Sequence, residues 1–273
     1  MSGPHTAWTE RTVVRDGVRL VARDHGGAGR PVLFLHGLAG YGGEWDATVA
    51  GMCGRYRVVT LDQRGHGASE RRPPGGDMSR SAYVADVIEV ITALGLDDVA
   101  LVGQSLGGNT AMLVAAARPD LVRALVMVEA GARGMVTREV DRIGAWLDSW
   151  PVPFGSLDAA AEFFGGGPAG AGWAAGLERR AGGWWPRFDA GLMVRSLAGL
   201  VRPSFWSEWR RVACPALVVL GESGIIPLDE QREMTSARPG TAMVTVPGAG
   251  HDVHLDAPEA LRAVLTGFLE RHL

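Results

Sequence analysis

The chain contains no lysine: all 27 of its strongly basic side chains are arginine. A phosphate or nucleic-acid surface would gather them into a basic patch, but they are scattered, and net charge is -3. Coding bias explains the arginine, and nucleic acid is not an expected partner. There are only two cysteines, Cys53 and Cys214. They lie too far apart in sequence for a metal or redox spacing and read as buried thiols in a reducing compartment. No apolar run is long enough to span a membrane, and Met1-Ser2-Gly3-Pro4-His5 has no apolar leader core. The default expectation is therefore a cytoplasmic protein without membrane contact. Internal repeats and low-complexity tails are also missing.

What is present is a soluble globular composition over 273 residues, enough for one large α/β domain with an inserted subdomain. The stretch Ala100-Leu101-Val102-Gly103-Gln104-Ser105-Leu106-Gly107-Gly108-Asn109-Thr110 organises the rest. It begins as a buried strand and ends in an Ala-rich helix stopped by Arg118-Pro119. Between them lies Gly-x-Ser-x-Gly. A reversal from strand to helix this sharp leaves no room for Cβ atoms at Gly103 and Gly107. It pushes the Ser105 hydroxyl out at the sheet edge, under the positive end of the following helix. An alcohol is a poor nucleophile unless a base takes its proton.

Strand-like runs recur along the chain. Residues 9–15 and 18–24 flank Asp16-Gly17, a hairpin signal. Further runs at 32–35, 57–61, 99–102, 123–128, 216–220 and 242–246 alternate with helical segments. Ser79 is placed to cap a helix over 79–94, and the last helix runs over 258–272. The pattern predicts an α/β fold: a mostly parallel, doubly wound, eight-stranded sheet opened by a hairpin. Ligands of such sheets bind beyond the carboxyl ends of the strands. The elbow, the 36–43 loop, Glu129, the 221–227 loop and His251 all fall at such ends. Residues 131–211 break the pattern, and seven of the nine tryptophans fall there: Trp146, Trp150, Trp173, Trp184, Trp185, Trp206 and Trp209. The expected division is a core of residues 1–130 and 212–273 and a helical, Trp-rich cap of residues 131–211 inserted after the sixth strand.

Taken together, His36-Gly37-Leu38, Asp62-Gln63-Arg64-Gly65-His66-Gly67-Ala68-Ser69, Gly103-Gln104-Ser105-Leu106-Gly107-Gly108 and Gly250-His251-Asp252 resemble the α/β-hydrolase family in content and order. The resemblance implies Ser105 as nucleophile and His251 as general base. It also implies an oxyanion hole from the backbone N–H groups of Leu38 and Leu106. His36, His66, His254, Asp62 and Arg64 read as structural.

The third triad member departs from the family. Its usual aspartate follows the strand at 216–220, but that loop reads Gly-Glu-Ser-Gly-Ile-Ile-Pro, with Gly224 where the aspartate is expected. Glu129, Glu222 and Asp252 are the candidate acids. Glu129 is favoured, because zearalenone-type lactonases and certain haloalkane dehalogenases are similar in carrying a glutamate at that strand end. Gly37, Trp184 and Trp185 are the candidate substrate contacts, since indole faces suit an aromatic or large cyclic substrate. The reading is a cofactor-independent, metal-free serine hydrolase of a hydrophobic or aromatic ester or lactone, such as the macrolactone zearalenone. A carbon–carbon bond hydrolase or perhydrolase and a ligand-binding pseudo-hydrolase are the alternatives. A homodimer is left open.

Overall fold

In the computed structural model, residues 7–202 and 204–273 are described. The Met1–His5 stretch read above for a leader lies outside them. Ten strands are described: β1 (Thr9–Arg15), β2 (Val18–Gly26), β3 (Pro31–Leu35), β4 (Arg57–Asp62), β5 (Val99–Gln104), β6 (Val122–Val128), β7 (Glu178–Arg180), β8 (Gly183–Trp185), β9 (Ala216–Gly221) and β10 (Ala242–Val246). Eight form one sheet in the order β1-β2-β4-β3-β5-β6-β9-β10, and β7 pairs with β8 separately. The β1–β2 hairpin is antiparallel, β2 runs antiparallel to β4, and from β4 to β10 every pair is parallel. This is the expected doubly wound sheet.

The α-helices are α1 (Asp46–Val49), α2 (Arg80–Ala93), α3 (Leu106–Ala117), α4 (Thr137–Asp148), α5 (Leu157–Phe163), α6 (Gly167–Ala175), α7 (Ala190–Leu197), α8 (Trp206–Arg211), α9 (Leu228–Ala237), α10 (Val253–Asp256) and α11 (Pro258–His272). Ser79 caps α2, its side chain accepting the Ala82 N–H. Strands β5 and β9 are buried along their whole length, as strands covered on both faces must be. One face packs against α2 and α3 through Leu33, Leu101 and Met112. The other packs against α11 through Phe34, Val102 and Leu265.

Residues 131–211 leave the sheet after β6 and return at β9. Expected as helices alone, the segment also carries the β7–β8 hairpin, turned by Ala181-Gly182 with Gly182 at φ +84°. Its interior is an aromatic cluster around buried Trp150, whose ring meets Phe164 at 4.6 Å and Phe188 at 5.3 Å, edge to face. The segment also shares ion pairs with the rest of the molecule, among them Arg71 with Glu178 at 2.6 Å. Among the described residues, no helix is long and apolar enough to cross a membrane.

Candidate active site

Ser105 follows the last residue of β5 and precedes the first of α3. Its backbone sits at φ +49°, ψ −114°, a conformation L side chains rarely adopt. Two hydrogen bonds hold it there: Ser105 N–H to Val128 O and Asn109 N–H to Ser105 O, both 3.0 Å. The glycines around it serve close approach. A Cβ on Gly103 would lie 2.3 Å from Gly107 O, and one on Gly107 would lie 2.4 Å from Leu35 O. Leu106 opens α3, where the first N–H groups have no intrahelical acceptor.

The loop that carries Leu38 is bolted down by two buried histidines. His36 Nδ1 donates to Gly37 O at 2.7 Å, leaving Nε2 to accept the Gln63 N–H at 3.0 Å. His66 repeats the scheme. Its Nδ1 donates to Arg64 O at 2.8 Å, and its Nε2 accepts the Ala39 N–H at 3.1 Å. Both rings must be neutral to do this. Burial enforces it, pushing His36 down to about 4 and His66 to about 3. Asp62 completes the frame, accepting from Gly42 N–H at 2.5 Å and Ala68 N–H at 2.7 Å. Arg64 is engaged elsewhere, in a two-pronged buried pair with Asp86 at 2.5 and 2.7 Å.

His251 lies on the loop after β10, with Nδ1 3.5 Å from Glu129 Oε2. Glu129 is 1% exposed and stands at the end of β6 with φ +47°. The Gly221 N–H donates to its Oε1 and the Ile225 N–H to its Oε2, each at 2.7 Å. The carboxylate therefore lies inside the loop after β9. A Cβ on Gly224 would lie 2.0 Å from Glu129 Oε1. The residue that lacks an acid side chain is the one whose space the glutamate occupies.

The other two candidate acids are bound differently. Glu222 is turned to the surface, where its Oε2 accepts the Gly248 N–H at 2.9 Å. Asp252 Oδ2 accepts the Trp173 Nε1–H at 2.9 Å. Among the described residues, no hydrogen bond joins Ser105 Oγ to His251.

Ser105, His251, Glu129, Leu38 and Leu106 all line one cavity of about 760 Å³. Its far wall is aromatic: Trp146, Phe163, Phe164 and Trp173, with Trp146 and Trp173 edge to face at 5.6 Å. Arg133, Glu139, Arg142 and Glu230 also line it. Burial raises the Glu230 carboxyl above its ordinary range.

Trp184 and Trp185 do not line this cavity. Strand β8 holds them elsewhere: Trp184 exchanges two 2.9 Å backbone hydrogen bonds with Phe154, and Trp185 Nε1 donates to Ala181 O at 3.2 Å. Gly37 packs under Gln104, whose Oε1 would lie 2.1 Å from a Cβ there. The lining tryptophans, Trp146 and Trp173, come from α4 and α6. Arg142 and Trp146, four residues apart on α4, both face the cavity, as one side of a helix does. That spacing was visible in the sequence, but not which face of α4 turns inward.

The geometry can be set beside known proteins. A family model described as the alpha/beta hydrolase fold matches residues 30–258. The chain is 28% identical over 252 residues to a 2-(acetamidomethylene)succinate hydrolase of Mesorhizobium japonicum, covering 89% of each chain. It is 31% identical over 257 residues to a mouse (Mus musculus) sn-1-specific diacylglycerol lipase, covering 87% of this chain and 80% of that one. Among solved structures, E-2-(acetamidomethylene)succinate hydrolase superposes with TM-score 0.87 at 28% identity, over 97% of this chain and 100% of the other. The sheet order, the strand-to-helix elbow and a match over most of the sequence agree: the chain belongs to the alpha/beta hydrolase fold family.

Proposed function

We propose that the protein is a serine hydrolase cleaving a carboxylic ester or lactone, with Ser105 as nucleophile, His251 as general base and Glu129 as the acid behind it. Ser105 Oγ attacks the carbonyl carbon as its proton passes to His251 Nε2. Negative charge gathers on the former carbonyl oxygen, which the N–H groups of Leu38 and Leu106 stabilise. Collapse expels the alcohol with the proton from His251. In a lactone that alcohol stays tethered to the acyl group. Water, deprotonated by the same imidazole, then releases Ser105. Glu129 keeps the Nδ1 proton in place and balances the imidazolium.

The single observation that carries this reading is the Glu129 carboxylate 3.5 Å from His251 Nδ1, in space that Gly224 leaves open. Residues 131–211 act as the cap. A cavity of about 760 Å³ with an aromatic wall suits a hydrophobic ester or an aromatic macrolactone such as zearalenone. A second reading is favoured by Arg142, which lines the cavity and has no ion-pair partner among the described residues. A substrate carboxylate would pair there, as the succinate in the name of one relative suggests.

A fluorophosphonate probe labels Ser105 at neutral pH if the reading holds. Glu129→Gln then slows labelling and turnover far more than Glu222→Gln. Equal, small losses in both variants remove Glu129 from its role. A panel of aryl esters, lactones of rising ring size and hemiesters with a free carboxylate separates the substrate readings.

A further inference from the structure

Gln104 is 3% exposed and immediately precedes Ser105. Its side chain reaches the loop of His251. Gln104 Nε2 lies 3.2 Å from His251 Nε2, 3.2 Å from His251 O and 3.4 Å from Asp252 Oδ1. The two oxygens can only accept. They therefore fix which end of the carboxamide is the N–H₂, whose two hydrogens serve these oxygens and the imidazole Nε2, one of them shared. Asp252 is itself held from the other side by the Trp173 indole N–H at 2.9 Å. A Cβ on residue 37 would lie 2.1 Å from the Gln104 Oε1, so the carboxamide needs glycine there.

We infer that Gln104 is a positioning residue that selects the tautomer of His251, resting on the hydrolase reading above. An N–H facing Nε2 requires a lone pair there, so the ring proton sits on Nδ1. This is the tautomer a general base needs, with the proton toward the carboxylate and the lone pair on Nε2, which passes from the amide to Ser105 for the reaction. Glu129 favours the same tautomer from the opposite side. Its contact is long, however, and both its oxygens already accept a backbone N–H. The choice is therefore shared between a carboxylate on one edge of the ring and an amide on the other. His36 and His66 show the same arrangement, each with Nδ1 donating and Nε2 accepting an amide N–H.

The test uses the full chain with ¹⁵N-labelled histidine. Long-range ¹H–¹⁵N spectra at pH 8 report the tautomer, with the His251 signals assigned by their loss in His251→Asn. The wild-type ring is expected as Nδ1–H. Gln104→Met keeps the bulk and removes the donor. It should raise the ratio of Nε2–H to Nδ1–H about tenfold and lower kcat for an aryl ester in proportion to the Nδ1–H share lost, with KM little changed. Gln104→Glu puts a carboxylate beside Nε2, in addition to Glu129, Asp252, Asp256 and Glu222, the titratable groups already facing the loop. It favours the imidazolium, so the acidic limb of the kcat/KM profile moves to higher pH. A residue that only filled space would lower stability and move neither tautomer nor limb.

A wild-type His251 found as Nε2–H overturns the inference, even if the Met variant does not fold. So does a Met variant with unchanged tautomer and kcat. The spectrum does not depend on turnover. A wild type whose Ser105 resists the fluorophosphonate would sink the hydrolase reading separately.

Discussion

Replacing Gly224 with alanine adds one methyl group and tests the proposed acid, Glu129, directly. The new Cβ would stand 2.0 Å from Glu129 Oε1, 2.4 Å from Cδ and 2.6 Å from Oε2, where contacts below 3.0 Å are essentially never seen. The carboxylate must therefore retreat by about 1 Å or the loop must open. Either movement disturbs the two 2.7 Å bonds from Gly221 and Ile225, each worth about 1.5–3 kcal/mol because the acceptor is charged. Partial loss of both costs about 2–4 kcal/mol, a fall in Tm of about 5–10 °C for a domain of this size. It also lengthens a contact to His251 that is already 3.5 Å. If Glu129 is the triad acid, as proposed, displacements of this size cost about 10²- to 10⁴-fold in kcat/KM. Gly250→Ala is the control, since its Cβ would meet nothing nearer than 3.4 Å. The assay is aryl-ester hydrolysis with thermal melting of both variants. Gly224→Ala that melts and turns over like wild type would refute the steric argument. The double variant Glu129→Gly, Gly224→Asp removes the obstruction and supplies a carboxylate from the other loop. It should be more active than either single change.

Ser105→Gly should abolish fluorophosphonate labelling yet raise Tm by about 2 °C, because φ +49° is relaxed for glycine and strained for serine by about 1 kcal/mol. An unchanged or lower Tm would show that the elbow stores no strain. His36 and His66 are held neutral in the fold at about 4 and about 3, below the 6.5 of an exposed ring. The unfolded chain therefore binds more protons between those values, so stability is full above pH 6.5 and falls as pH drops toward 4. Urea midpoints across that window check this, and His66→Gln should flatten the slope. Trp146→Ala should raise KM for aromatic esters several-fold, because the ring lines the cavity. Trp185→Ala should leave it unchanged, and the opposite ranking would move the substrate site to the hairpin.

Much of the fold was legible because its signals are local. Continuous apolar runs such as Val32 to Leu35 read as buried strands without any tertiary knowledge, and Asp16-Gly17 marks its hairpin by turn chemistry alone. The elbow was legible because Gly103 and Gly107 are demanded by backbone crowding within a few residues. Two things were not legible. Which tryptophans face the cavity depends on how α4 and α6 are rotated against neighbours distant in sequence, and the β7–β8 hairpin is too short to announce itself. The partners that arrange the site are also remote. Gln104 meets Asp252 across 148 residues, and His251 meets Glu129 across 122. No pattern in the chain pairs such residues. They become neighbours only when the parallel strands are laid side by side.

That laying side by side has a consequence of its own. Gln104 is in register with Val128, and Val128 with Val219, so β5 and β6 end at one level, two residues before the end of β9. The sheet thus works as a ruler whose graduations are about 3.3 Å apart. Slipping the middle strand by a single notch would carry residue 129 off that level and turn its side chain to the opposite face. Insertions and deletions are therefore harmless in the loops leading into β6 and ruinous within it, although most of that strand's residues touch no reacting atom.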